Sequence, residues 1–200
     1  MCGIAGLIHK NKTVNIGKEL EDMLQALKHR GPDSTGFALY GEGENNSYIM
    51  RFKVGENVKE GSSASNEGDE VYDARKAQVD KYLGELGAEV VSEDQITPYS
   101  FKYIINYDKD LMEFSKKIES VEMTEILSIG KSLELVKDIG DAGVVSKQYG
   151  LDKIRGTHAI GHTRMATESG VDIRSAHPFW GYPFSDVSVV HNGQLTNYWN

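Results

Sequence analysis

The chain has little cysteine, little positive charge and no long apolar run, and each shortage excludes a class of protein. One cysteine in 200 residues leaves no internal disulfide and no cysteine-rich structural zinc site. A cytoplasmic compartment is the natural expectation for such a sequence. With 22 Lys and Arg against 30 Asp and Glu, the net charge is -8, which supplies no electrostatic footprint for nucleic acid or an anionic membrane. No apolar stretch approaches the ~18 residues that cross a bilayer. The opening MCGIAGLIHK is too short and too glycine-rich for a signal peptide. Internal repeats and low-complexity tracts are also missing. What remains, at 39% hydrophobic and 26% charged residues, is enough to bury one ordinary domain or a core with one large insertion.

The one cysteine is Cys2, between Met1 and Gly3. Trimming of Met1 would give it a free α-amine of pKa about 7.7–8.0, a base on the same residue as the nucleophile. Most lone cysteines are only small buried residues. The position gains weight from what accompanies it.

Residues 3–9 read as a short strand, and Asn15 as the cap of a helix with Ile16, Leu20, Met23, Leu24 and Leu27 on one face. Gly31 and Pro32 close that helix, HRGPDSTG (29–36) is turn-like, and FALY (37–40) resumes as a strand. Residues 47–54 alternate as a strand, 55–68 lose periodicity with a loop tip at 61–68, and a helix is expected over 69–86. A strand over 101–108, a helix capped by Asp108, two strands in TEILSIG and SLELVKDIG, and a short helix over 141–149 follow. The expected organisation is a core of 1–44 and 153–200 interrupted by a self-contained α/β subdomain at 45–152.

Three stretches carry chemistry. In THAIGHTRMATESG (157–170) strand alternation puts His158, Ile160, His162 and Arg164 on one face. The histidine spacing would suit a metal pair on a helix, but Gly161 and the β-branched neighbours favour a strand and packed histidines. Arg164, in a nearly uncharged run, suits bidentate capture of a carboxylate or pairing with a structural acid. Thr167 is a turn residue or a hydroxyl donor to the same ligand. In VSVVHNGQLTN (187–197) a buried strand of Val187, Val189 and Val190 runs into Asn192-Gly193, which is either a tight turn or a pair of oxyanion donors. His177, before Pro178, either walls the pocket or has no role. Nucleophile, built-in base, oxyanion donors and carboxylate anchor together make an acyl-transfer set.

At MCGIAGL, HRGPDSTG, GHTRMATES, AHPF and VVHNG, in this order, the chain resembles the class II glutamine amidotransferases, which are N-terminal-nucleophile hydrolases. The resemblance implies an α+β fold, the αββα sandwich, of which these residues would form only part. It implies Cys2 as nucleophile with its α-amine as base, Asn192 and Gly193 as oxyanion hole, and Arg164 on the glutamine α-carboxylate. Thr167 and His177 would line the glutamine pocket and Arg30 would steady the nucleophile loop. The implied partners are L-glutamine and a synthase subunit or domain that receives ammonia. No cofactor is implied for this chain; any flavin or iron–sulfur cluster would belong to that synthase. The wording GTHAIGHTRMATES and the long insert look most like the stand-alone amidotransferase subunits of glutamate synthase and N-methylglutamate synthase. An asparagine-synthetase-like amidotransferase ranks second, and a non-catalytic assembly subunit is the alternative from another class. Met165 and Glu168 stand where sugar-phosphate members have Trp and His. About 90 core residues are too few for both sheets of the sandwich, so a truncated part of a longer amidotransferase, poorly active alone, is expected.

Overall fold

Asn15 begins the first helix as its sequence requires: the side-chain oxygen accepts from the Lys18 amide at 3.1 Å. The computed structural model describes residues 2–43, 46–56, 67–165 and 173–193. The elements run β1 (Gly3–Ile8), α1 (Ile16–Ala26), β2 (Ser34–Gly41), β3 (Tyr48–Lys53), α2 (Asp69–Leu86), β4 (Glu89–Thr97) and β5 (Ser100–Asn106). They continue with α3 (Leu111–Ile118), β6 (Glu125–Gly130), β7 (Leu133–Ile139), α4 (Ala142–Tyr149), β8 (Gly156–Arg164), β9 (Phe179–Trp180) and β10 (Ser188–Val189). Among the described residues the strands form an antiparallel sheet of order β1-β8-β2-β7, a second of order β4-β5-β3-β6, and the β9-β10 ribbon. The fold is therefore mixed α+β built on antiparallel sheets.

Helices α1 and α4 cover one face of the first sheet, burying Ile16, Leu20, Leu24, Val145 and Tyr149 against Ala5, Phe37, Leu39, Val136 and Ala159. Met23, expected on the same face, is 39% exposed. Helices α2 and α3 cover one face of the second sheet, where Tyr72, Val79, Leu83, Phe114 and Ile118 meet Met50, Phe52, Phe101, Tyr103 and Ile105. Each large apolar side chain so buried contributes roughly 1.5–3 kcal/mol.

Sheet membership divides the chain differently from the expected boundaries at 45–152. Strand β7 pairs with β2 from Ser34↔Ile139 to Tyr40↔Leu133, and α4 joins the α1 core. Residues 133–153 thus belong with the flanking segments, and the second sheet with its helices occupies 48–130. Alternation identifies a strand, not its partner. Strands β6 and β7 follow one another across a two-residue turn yet enter different sheets.

Between the sheets an apolar cluster of Ala38, Leu133 and Leu135 with Leu127 of β6 is joined by buried polar contacts. Glu134 of β7 accepts from Arg51 Nε at 3.0 Å and Lys102 Nζ at 3.1 Å. The fully buried Asp138 accepts the hydroxyls of Tyr99 and Tyr149, both at 2.7 Å.

Other local expectations shift. Helix α3 is capped by Asp110, which accepts from Met112 and Glu113 amides, and not by Asp108. Strand β10 is two residues long, and Val187 and Val189 are 45% and 54% exposed, so this segment is not a buried strand. Of the loop tip at 61–68, residues 61–66 lie outside the described residues.

Candidate active site

Strand β1 brings Cys2 to one end of the first sheet, because Gly3 pairs with Thr163 on β8. Cys2 is half-buried with a free thiol. Its main-chain carbonyl oxygen accepts two hydrogen bonds from distant parts of the chain. Arg30 Nε donates to it at 3.2 Å from the 3-10 turn Lys28–Arg30 that extends α1. Asn192 Nδ2 donates to it at 3.1 Å from the segment after β10. Two charge-capable or amide donors on one carbonyl fix the backbone on which the thiol is mounted. The Asn192 amide is thus placed beside Cys2, with one of its hydrogens directed to the Cys2 carbonyl.

Arg164 closes β8 at the same end of the sheet, opposite Ser34 on β2. Its carbonyl accepts from the Asp33 amide at 3.1 Å. The turn before β2 packs so tightly here that a Cβ on Gly31 would lie 2.6 Å from the Arg164 carbonyl carbon. Two residue pairs further in, Gly36 faces His162, and a Cβ on Gly36 would lie 2.0 Å from the His177 carbonyl oxygen. Glycine at 36 is what lets the His177 segment lie directly on β2.

Three histidines meet beside these residues. The His162 and His177 rings are 4.9 Å apart and those of His177 and His191 are 6.4 Å apart. His162 is 2% exposed and its Nδ1 has no hydrogen-bond partner. Burial lowers the pKa of His162 to about 4, helped by the neighbouring His177 and the Arg164 guanidinium. Burial also lowers His177 to about 4, with Lys137, His191 and Arg164 adding to it. Both rings are therefore neutral near pH 7, and Arg164 is within electrostatic reach of both.

The candidate residues separate into those brought together and those not described. Cys2, Arg30 and Asn192 are joined by hydrogen bonds. Arg164 and His177 lie in the adjoining histidine cluster. Gly193 follows Asn192 in an exposed position where a Cβ would meet His191 Nε2 at 2.5 Å. Thr167 and Glu168 lie outside the described residues. His158 and His162 do lie on a strand; His158 stacks on Tyr40 at 4.0 Å. Among the described residues no group of three His, Cys, Asp or Glu is arranged to hold a metal ion.

Two groups near the site were not singled out in the sequence. His191 enters as the third ring of the cluster, its signal hidden in the turn-like HNG. Lys137 follows Leu133 and Leu135 on one face of β7, a cation where the alternation calls for an apolar residue, and it is 2% exposed. That mismatch was the available signal.

No protein-family model matches the chain. A protein of Methanothermobacter thermautotrophicus, provisionally named a glutamine amidotransferase, is 38% identical over 204 residues, spanning 100% of this chain and 63% of that protein. The glutamine amidotransferase-like protein GlxB of Rhizobium meliloti is 32% identical over 206 residues, again 100% of this chain and 61% of GlxB. Chloroplastic amidophosphoribosyltransferase 2 of Arabidopsis thaliana is 37% identical over 73 residues, 36% of this chain and 13% of that enzyme. Similarity along the whole of this chain to two proteins named for glutamine amidotransferase, and over about a third of it to an amidophosphoribosyltransferase, supports a class II glutamine amidotransferase. It spans a little over three fifths of the length of the two relatives it matches throughout. No helix among the described residues is long and apolar enough to cross a membrane.

Proposed function

We propose that this chain is the glutaminase part of an amidotransferase, releasing ammonia from the glutamine side chain through a Cys2 γ-glutamyl thioester. The observation that carries this reading is the convergence of Arg30 and Asn192 on the Cys2 carbonyl, from 28 and 190 residues away. Such convergence holds a terminal nucleophile in place at the end of a sheet, where termini otherwise fray.

In the proposed reaction Met1 has been removed, and the Cys2 α-amine takes the thiol proton as Sγ attacks the side-chain carbonyl carbon of glutamine. The carbonyl oxygen becomes an oxyanion, held by the Asn192 amide and the Gly193 N–H. The C–N bond then breaks, the amine returns its proton to the leaving nitrogen, and ammonia departs. Water attacks the thioester with the amine again as base, giving glutamate and the free thiol. Arg164 binds the substrate α-carboxylate as a planar fork, and Thr167 and His177 line the pocket. For Asn192 this means turning its amide from the Cys2 carbonyl toward the developing charge, or serving both with its two hydrogens. The neutral state of His177 suits a pocket wall beside a cationic anchor, since a second positive charge there would oppose Arg164.

The same reading assigns the ammonia to a synthase of glutamate-synthase type, on the resemblance of the GTHAIGHTRMATES wording alone. The reaction uses no cofactor in this chain, and its compartment is the cytoplasm.

The test is labelling by 6-diazo-5-oxonorleucine, read by mass spectrometry. The expected result is a Met-trimmed chain carrying one adduct on Cys2, with labelling suppressed by glutamine and absent in Cys2→Ala. An adduct that persists in Cys2→Ala, or one that glutamine does not suppress, overturns the reading.

A further inference from the structure

The ammonium of Lys137 lies in the interior between the sheets, on a strand face that otherwise presents Leu133 and Leu135. Its Nζ is 2.9 Å from Glu125 Oε1 on β6. It donates to the Arg174 carbonyl at 3.2 Å and stands 4.7 Å from the centroid of the Phe179 ring. Arg174 and Phe179 flank His177 in the chain. Phe179 meets the His177 ring edge-on at 4.5 Å, and His177 meets His162 at 4.9 Å.

We propose that Lys137 is the positioning residue of the pocket wall, gripping the chain on both sides of His177 and so setting where that ring stands against His162. The inference rests on the glutaminase reading for what the wall does, but not for the grip itself.

Charge balance alone does not explain a cation here. Glu125 already pairs with Lys53 at 3.0 Å, and the other carboxylate of the cluster, Glu56, is met by Lys53 at 2.8 Å and Arg174 at 3.3 Å. Lys53, Lys137 and Arg174 thus face two carboxylates. Burial opposes ionisation of Glu125, yet Lys137 and Lys53 together hold its carboxyl below the usual range. Burying an ammonium costs free energy that a leucine at this position would not incur. What Lys137 supplies and leucine would not is a donor for the Arg174 carbonyl and a cation over the Phe179 ring. Gly36 leaves the opposite side of the segment resting on β2, so the segment is held between a strand and a lysine. Through Glu125 the same lysine links the site to β6 of the second sheet, the sheet that itself contributes no residue to the candidate site.

The experiment uses Lys137→Met and Lys137→Arg, with Phe179→Leu as a second variant that loosens the grip without disturbing the buried ion cluster. NMR titration of the His177 ring reads the grip in Phe179→Leu, which keeps the Lys137 charge; in Lys137→Met the loss of that charge itself also raises the His177 pKa. In Lys137→Met and Phe179→Leu the His177 pKa is expected to move up from about 4 toward the ordinary value of about 6.5. Lys137→Arg is expected to stay near the original value. Glutamine kinetics read the consequence: KM rises about tenfold in Lys137→Met with a smaller change in kcat, and Lys137→Arg recovers most of it. If melting temperature falls while the His177 titration and KM stay unchanged, Lys137 is only structural and the proposal is wrong. If His177 shifts in Phe179→Leu while glutamine kinetics are unaffected, the grip stands and the glutaminase role of His177 falls.

Discussion

At the candidate site the first sheet is assembled where side chains are missing, whereas the centre of the second is assembled where they are largest. Around the site, Gly31 and Gly36 allow backbone to touch backbone, against Arg164 and the His177 carbonyl. At the centre of the second sheet Phe52, Phe101 and Tyr103 are fully buried, with Phe52 and Phe101 stacked at 5.3 Å and Tyr103 edge-on to Phe52 at 5.0 Å. The difference shows what each sheet tolerates. A core of interdigitated rings responds to substitution by losing stability in proportion to the volume removed. A sheet whose segments meet main chain to main chain loses geometry first, because a methyl group there has nowhere to go.

The largest expected effect on stability lies in the second sheet. Phe101→Ala should cost about 3–5 kcal/mol in urea unfolding, yet leave Cys2 labelling of the molecules that remain folded unchanged. Gly36→Ala should show the reverse emphasis. Displacing the His177 segment should lower kcat/KM for glutamine about 100-fold, equivalent to about 2.7 kcal/mol, in protein that still folds. If Phe101→Ala abolished labelling in the folded fraction, or Gly36→Ala left kcat/KM intact, the two sheets would not differ in the way described.

This contrast also explains what could be read from the sequence. Helix α1 was legible because Ile16, Leu20 and Leu24 repeat at helical spacing and are all fully buried. The strand reading of GTHAIGHTR was legible by alternation, and the β8 residues did reach the end of the sheet that carries Cys2. Strand β4 was not: its residues from Glu89 to Gln95 are exposed on both faces, so it shows no apolar alternation and is held by main-chain pairing with β5. The return of β7 to the first sheet was hidden because both faces of β7 are buried in one sheet or against the other. The convergence of Arg30 and Asn192 on Cys2 spans too much chain for any local pattern to display. The resemblance assigned these residues, and only the fold shows their shared acceptor.

A smaller effect separates the sheets by pH. His162 and His177 sit in the first sheet and its loop, and burial holds both neutral down to about 4. The unfolded chain protonates them near 6.5. Between those values the unfolded state binds more protons, so stability is lost as pH falls from 6.5 toward 4. His158 acts in the same direction, its pKa also lowered by burial. Asp138 and Glu119 act in the opposite direction, because burial raises both carboxyls. The histidines outnumber them, and a net loss of about 2 kcal/mol is expected between pH 7 and pH 5. Hydrogen exchange should place the loss in β8 amides before β5 amides. Stability that is flat over this range, or loss that begins in β5, would remove the histidine cluster as its cause.

The smallest effect is a glycine on the other side of the comparison. Gly84 lies inside helix α2, where a Cβ would meet nothing within 4 Å. Gly87, three residues on, ends that helix at φ 77°, a left-handed position that favours glycine. Gly84 has no such reason, and its backbone freedom only raises the entropy lost on folding. Gly84→Ala should therefore stabilise the protein by about 0.5–1 kcal/mol in urea unfolding, with glutamine kinetics unchanged. Gly87→Ala, one turn away, should destabilise it. Opposite signs from two glycines of one helix would show that glycine is required by backbone conformation at position 87 and by nothing at position 84. If both alanines destabilised the protein equally, the left-handed φ of Gly87 would not be what separates the two positions.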